Sequence, residues 1–400
     1  MKRHELAISV LAVLIALASP ARAQDDSPIT ISGFGTGALT KTNSDQAEFN
    51  RHDQAAGVGK DARTGVDSNF GIQATAKWSD TISFTAQGLV RKNGTNDLYG
   101  AELAWAFVKF KINDDFAVRL GRIGVPIYMI SDVRNVGYAS TMLRPPNEVY
   151  AQVGVNETQG GDILYEHSFG DTTVTAQLQV GNSRVRPPGN FYIDFKPIIS
   201  SNLVVENGPF TYRLGHVQTT FGIYDNPGRT ALVASLNQAG LTSVASQVRL
   251  TDIKGTFDSL GITMDYHNII GQAEYAKRKT ESRLVQDTTS WYAMAGYRYE
   301  KFTPYIMHGD VKQDSIRDFP GLPTTGPLAA LSASANRAIK IGLQSTTAVG
   351  MRWDFYKSLA FKVQVDHIKT RDGVGYFVNA KPGFAGSTVN VYAVAIDFVF

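Results

Sequence analysis

Lys77, Arg91, Arg119, Arg298 and Arg352 all occupy polar positions in segments where apolar and polar residues alternate. Alternation with period two places such residues on one face of a strand, so these five cations are expected on the polar face of a sheet. Asp132, Glu148 and Glu157 lie with Arg134 and Arg144 in a long stretch that does not alternate, residues 123–160. Opposed rows of cations and carboxylates break no bonds. They create a transverse field that orients a polar solute and sorts ions by sign. Tyr128, Tyr138 and Tyr150 add aromatic surface to the same stretch, as a solute-selective site would need.

Reaction chemistry has weaker support. The histidines His52, His167, His216, His267, His308 and His367 are scattered, with no i, i+4 pair and no H-E-x-x-H. His167 beside Ser168 is the nearest hint of a nucleophile and its base, yet adjacent strand residues face opposite sides. The chain has no cysteine, which removes disulfides, thiolate zinc sites and cysteine nucleophiles together. Gly33-Phe34-Gly35-Thr36-Gly37 has glycines spaced as in a phosphate loop but no βαβ unit after it; such glycines let a strand bend. Metal-ligand spacing is absent, and the Asp-rich segment 41–67 offers at most weak calcium binding. No catalytic residue, resident metal or cofactor is expected, and the Asn93-Gly94-Thr95 sequon matters only in a eukaryotic secretory route.

The elements that must carry these residues are long strands. Phe70, Ile72, Ala74, Ala76 and Trp78 alternate with polar neighbours up to Ser79-Asp80; Ile82, Phe84, Ala86, Gly88 and Val90 do so after it. The pattern recurs over Thr173–Gly181, 347–355, 361–366 and 391–400. Strands of a soluble sandwich average about five or six residues, whereas these run about ten, the length that crosses a bilayer at a tilt. Aromatic residues gather near strand ends, as at Trp291, Tyr297 and Tyr299, and the polar faces are rich in Gln, Thr, Gly and Arg. That combination suits a lipid-facing wall around a wet lumen.

Short turns near 79–80, 113–115, 170–171, 207–209, 267–268, 300–301 and 356–358 alternate with longer loops. The loops fall near 41–66, 92–97, 123–160, 184–200, 225–253, 281–288, 314–338 and 371–387. Together these connections join sixteen antiparallel strands; a misreading of 225–253 or 326–346 would make the count eighteen or fourteen. A barrel of that size is too wide for side chains to fill and should hold water.

Residues 1–23 carry Lys2 and Arg3, an apolar run from Leu6 to Ala18, and Ala21-Arg22-Ala23. This is the pattern of a cleaved secretory signal peptide, leaving 24–400 as the mature barrel. Its removal lowers the formal charge from +3 to +1, too little to draw the chain to nucleic acid. Mean hydropathy is −0.14, and no apolar run long enough for a spanning helix follows the leader.

Several segments together resemble the trimeric general porins of Gram-negative outer membranes. They are the opening strand Ile29-Thr30-Ile31-Ser32-Gly33-Phe34-Gly35, the segment Val118-Arg119-Leu120-Gly121-Arg122 ahead of the third loop, the hairpin strand Val349–Phe355, and a last strand closing on Phe400. The resemblance implies an outer-membrane homotrimer amid lipid and lipopolysaccharide, passing small hydrophilic solutes by diffusion. It also implies that residues 123–160 fold into the lumen and constrict it, and that Phe400 is the signal read by the membrane-insertion machinery. Arg144-Pro145-Pro146-Asn147-Glu148-Val149-Tyr150 stands where that family often has a Pro-Glu-Phe-type turn. Two other readings remain open: a channel of the same build selective for sugar, phosphate or dicarboxylate, and a closed adhesive or structural barrel. A barrel hydrolase is the weakest.

Overall fold

The computed structural model describes residues 28–52, 54–92, 96–189, 191–314, 318–339 and 342–400. The predicted leader and the sequon at 93–95 lie outside the described residues. Sixteen strands follow the alternation. They are β1 Ile29–Thr42, β2 Asn69–Lys77, β3 Ile82–Lys92, β4 Tyr99–Lys111, β5 Phe116–Gly124, β6 Glu157–Phe169, β7 Thr172–Val185 and β8 Tyr192–Asn207. Then come β9 Phe210–Tyr224, β10 Ile253–Tyr266, β11 Ile269–Thr280, β12 Thr288–Tyr297, β13 Phe302–Gln313, β14 Leu343–Tyr356, β15 Leu359–Arg371 and β16 Thr388–Val399. Every strand pairs antiparallel with its chain neighbours, and β1 pairs with β16 from Phe34↔Val399 to Thr42↔Val391, closing the barrel. Closure satisfies the backbone groups that an open sheet edge would expose to lipid.

The seven short connections lie at one end, the turn side, and the eight longer ones at the other, the loop side. Left-handed residues make several turns tight: Gly170, Gly208, His267 and Ser358 all have φ between 53° and 62°. Three expected loops contain helices. Residues 225–252 hold α2 Pro227–Gln238 and α3 Thr242–Arg249, following a short α1 at Asn147–Tyr150; residues 314–342 hold α4 Ala329–Arg337. None adds a strand, so the count stays sixteen. The expected loop 184–200 shrinks to 186–191, because β7 and β8 pair further than their patterns suggest. Register shifts at Gly181/Ser183 and Phe195/Ile198 break the alternation there, which hides those strand ends from a period-two reading.

Exposure shows which way the faces point. Leu178 is 64% exposed while its neighbours Gln177 and Gln179 are 7% and 3% exposed, the reverse of a soluble core. Ile72, Leu120, Leu214, Leu260, Ile306 and Val349 are likewise exposed, forming the apolar outer band. Tyr275, Trp291 and Tyr392 border that band towards the loops, and Tyr212, Tyr266, Tyr297 and Tyr356 border it towards the turns. The tightly packed apolar core lies on the opposite face. Val125, Ile127, Tyr128, Met142 and Val149 of the third loop pack against Phe195, Val217, Phe257, Tyr292, Tyr305 and Met307 of β8–β13.

Candidate functional site: the charged inner wall

The third loop, residues 125–156, is held by side chains from the face opposite the apolar band. Glu274 of β11 accepts from the Met129 amide (3.1 Å) and the Tyr150 hydroxyl (2.9 Å). Ser259 of β10 donates to the Ile127 carbonyl (2.7 Å), and Arg278 of β11 to that of Gln152 (2.7 Å). Further round, Arg352 of β14 donates to the carbonyls of Tyr138 (2.7 Å) and Ser140 (2.9 Å). Lys362 of β15 donates to Gly137 (2.7 Å) and Met142 (3.1 Å) and pairs with Asp397 of β16 (2.8 Å). Such bonds satisfy loop backbone groups that would otherwise be buried without partners.

Arg144 is the most deeply engaged loop residue. Its guanidinium forks onto Asp67 (2.9 and 2.7 Å), also pairs with Asp366 of β15, and lies over the Phe49 ring. Burial opposes its charge, but the two carboxylates outweigh that and hold its pKa above the ordinary arginine value. Glu148 is buried 4 residues on, accepting from Gln344 (2.6 Å) and Thr346 of β14. With no cation against it, burial raises its pKa above the ordinary carboxyl range. Tyr128 and Tyr150 are raised for the same reason, so neither phenol ionises near neutrality.

The expected residues therefore separate. Arg91, Arg134 and Glu157 line a loop-side cavity of about 450 Å³. Arg298 and Arg352 line a turn-side cavity of about 530 Å³, facing Asp265 and Asp354. Arg119 is on the inner wall, bidentate on Asp162 and stacked on Phe107. Asp132 meets Arg213 of β9 at 3.3 Å. Lys77 is exposed at the turn-side end of β2, away from the rest. Arg144 and Glu148 are anchors, not members of an acidic row facing a basic one, and that is a correction. The reason is local: the loop presses both against β14 and β15, where each finds wall partners and loses water.

Several residues of the loop-side cavity were not singled out from sequence. Arg51, Lys92, Glu102, Arg122, Arg184 and Arg186 line it as well. Arg91 pairs with Glu102 (2.8 Å), Arg122 with Glu157 (2.6 Å) and Arg184 with Asp194 (2.6 Å). Strict alternation from the outward Leu120 would turn Arg122 away. A crease prevents it. Gly121, Gly160 and Gly181 are register neighbours across β5, β6 and β7, and Gly121 has φ 137°, which favours glycine. A Cβ on Gly121 would stand 2.3 Å from the Ala106 carbonyl oxygen. A glycine at the centre of a strand pattern was the available signal. Arg51 had none, because only the folding of loop 43–68 brings it to the wall.

Seven cations line the loop-side cavity against three carboxylates, Asp67, Glu102 and Glu157. The turn-side cavity is balanced, two against two. Burial together with repulsion from Arg91, Arg144 and Arg134 pushes Arg51 down to about 10, against the attraction of Asp67. Among the described residues no three His, Asp or Glu side chains gather as a metal site. In segment 41–67, Asp45 accepts from the Lys60 amide and Asp67 is held by Arg144; the segment's Asp53 lies outside the described residues. His167 contacts Asp115 while Ser168 contacts Thr173, so the two do not act on each other.

The chain matches the Gram-negative porin family over residues 10–395. No curated protein sequence matches it significantly. Among solved structures, OmpF of Salmonella typhi in complex with daunomycin is 12% identical at TM-score 0.54, covering 93% of this chain and 97% of that one. The anion-selective porin from Comamonas acidovorans is 13% identical at TM-score 0.54, covering 93% and 99%. The outer-membrane channel DcaP of Acinetobacter baumannii is 10% identical at TM-score 0.52, covering 93% and 97%. At such identities the likeness is one of fold, and the family match supplies the rest. A closed sixteen-stranded barrel, apolar outside and charged within, thus belongs to the Gram-negative porin family and is an outer-membrane channel for passive diffusion.

Proposed function

We propose that residues 125–156 are the constriction of this channel and that solutes pass between the loop and the inner wall of β2–β7. The loop's apolar cluster and anchors take up the β8–β16 side, which leaves the arginine-bearing side for water. The pore passes small hydrophilic solutes and prefers anions, and the observation that carries this is the excess of seven cations over three carboxylates at the loop side. Asp132 and Glu148 do not line that cavity, and Glu157, which is paired with Arg122, is already one of the three carboxylates counted. The similar Comamonas porin is anion-selective by name, which agrees with this reading. Arg91, Arg122 and Arg134 belong to the ion path, Arg298 and Arg352 to its turn-side mouth, and no residue has a catalytic role.

The barrel works as a homotrimer in lipid and lipopolysaccharide, with Phe400 as the mark read by the insertion machinery. Its backbone pairing with Gly33 of β1 and its ring contacts with Phe70 and Phe398 support that assignment. Planar-bilayer recording of the refolded chain under a KCl gradient is the test. Conductance in steps of three, with a reversal potential displaced towards that of chloride, is expected. A reversal displaced towards potassium would remove the anion preference, and a barrel that never conducts would leave the closed structural reading.

A further inference from the structure

We infer that the loop-side cavity is a saturable site for a multivalent oxyanion, a small solute carrying phosphate or paired carboxylates, and that it is reached from the loop end. This rests on the channel reading above and deepens it. Of the seven cations lining the cavity six are arginine and one is lysine. A guanidinium offers a planar fork of donors that matches carboxylate or phosphate oxygens two at a time, whereas an ammonium acts as a point charge. A cavity meant only to attract chloride has no use for that geometry.

Two of these arginines have no ion-pair partner among the described residues. Arg51 is half-buried at the wall, where the carboxylate that attracts it, Asp67, already accepts two hydrogen bonds from Arg144. Arg186 is exposed at the end of β7, beyond Arg184, which is engaged with Asp194. Burial depresses Arg51, and repulsion from Arg91, Arg144 and Arg134 adds to it against the attraction of Asp67, so a bound dianion would favour its charged form. The volume of about 450 Å³ is of the size that holds small-molecule ligands, and the Tyr150 side chain closes part of it.

The charge is one-sided. The turn-side cavity balances Arg298 and Arg352 with Asp265 and Asp354, both of which pair directly with them. A multivalent anion approaching from the turns meets no net attraction until it has passed the third loop. Approach from the loops is drawn directly into the cationic cavity. Binding is therefore expected to depend on the side of addition.

The test is block of single-channel chloride current at constant ionic strength by inorganic pyrophosphate, by succinate, and by glucose as the uncharged probe. Saturable block by at least one oxyanion, roughly tenfold tighter from one side than from the other, is expected, with none by glucose. Pyrophosphate acting alone assigns the site to phosphate; succinate acting alone assigns it to carboxylates. The double variant R51Q/R186Q should weaken the tight-side block about tenfold and leave the other side unchanged. Its monovalent conductance reports whether it still forms a pore, and Arg186→Gln alone, at an exposed position, serves if it does not. An anion-selective pore with no saturable block, or equal block from both sides, overturns the site while leaving the channel reading intact. Absence of any current overturns the channel reading itself.

Discussion

At the scale of single residues, the third loop is held by groups that become costly once a partner is removed. Arg144→Ala leaves Asp67 and Asp366 buried without their cation, a loss of about 3–5 kcal/mol in local stability at neutral pH. A lower unfolding temperature of the folded barrel and larger, noisier single-channel conductance are expected. The deficit should shrink as pH falls, because protonation removes the orphaned charges. Glu148 behaves differently. Burial raises its pKa above the ordinary 4.5, so the docked loop favours the protonated acid. Its contribution is complete below 4.5 and declines as pH rises through the raised value. Glu148→Gln keeps an acceptor for Gln344 and Thr346 and removes the titration. The variant's thermal stability should stay level where that of the native chain falls on going from acid to neutral pH; parallel curves for the two proteins would contradict this.

At the scale of elements, two glycine contacts decide how strands meet. Phe400 exchanges backbone hydrogen bonds with Gly33 (2.8 and 3.0 Å), and a Cβ on Gly33 would lie 2.3 Å from the Phe400 ring. The terminal aromatic thus covers the seam at which the last strand meets the first. Gly33→Val displaces that ring, and a fall in the fraction of chain migrating as folded barrel on unheated gels is the expected result. The crease at Gly121 acts on charge. Gly121→Ala strains a φ of 137° against the Ala106 carbonyl, and either local unpairing of β5 or a turned Arg122 follows. Weaker anion preference with the barrel still assembled is expected, read as a smaller reversal potential.

At the scale of the whole molecule, the proposed anion preference rests on a surplus of cations spread over three strands and three loops, with no single dominating pair. Screening acts on such a field. The Debye length falls from about 10 Å at 0.1 M salt to about 3 Å at 1 M, so chloride preference should decline steeply between those concentrations. Selectivity that stayed constant across that range would mean that direct contact at one narrow point sets it. The loop-side helices α2, α3 and α4 meet in a small apolar cluster around Leu236, Val248, Phe319 and Ala335, which packs the long loops over β9–β14. On the path proposed above, the loop-side entrance then lies on the β2–β7 side, where the arginines are.

The sequence by itself determined the barrel. Period-two alternation over about ten residues fixes which side chains face lipid, and short turns alternating with long loops fix sixteen strands, because both are local properties of the chain. It also placed Arg91, Arg119 and Arg352 on the inner wall, since parity along a regular strand suffices for that. Tertiary structure decided what the charges do. Arg144 and Glu148 are adjacent to other loop polar groups in sequence, but their partners Asp67, Asp366, Gln344 and Thr346 lie 77 to 222 residues away or in another strand. Whether a loop carboxylate faces the water or is neutralised against a wall depends on how the loop docks, and no periodicity encodes that. Arg51 and Arg122 were hidden for the same reason: one arrives by the folding of a loop, the other by a glycine crease that breaks the parity of β5. Alternation is written along the chain, whereas the sign of the field at the pore is a sum over side chains that only the closed barrel brings together.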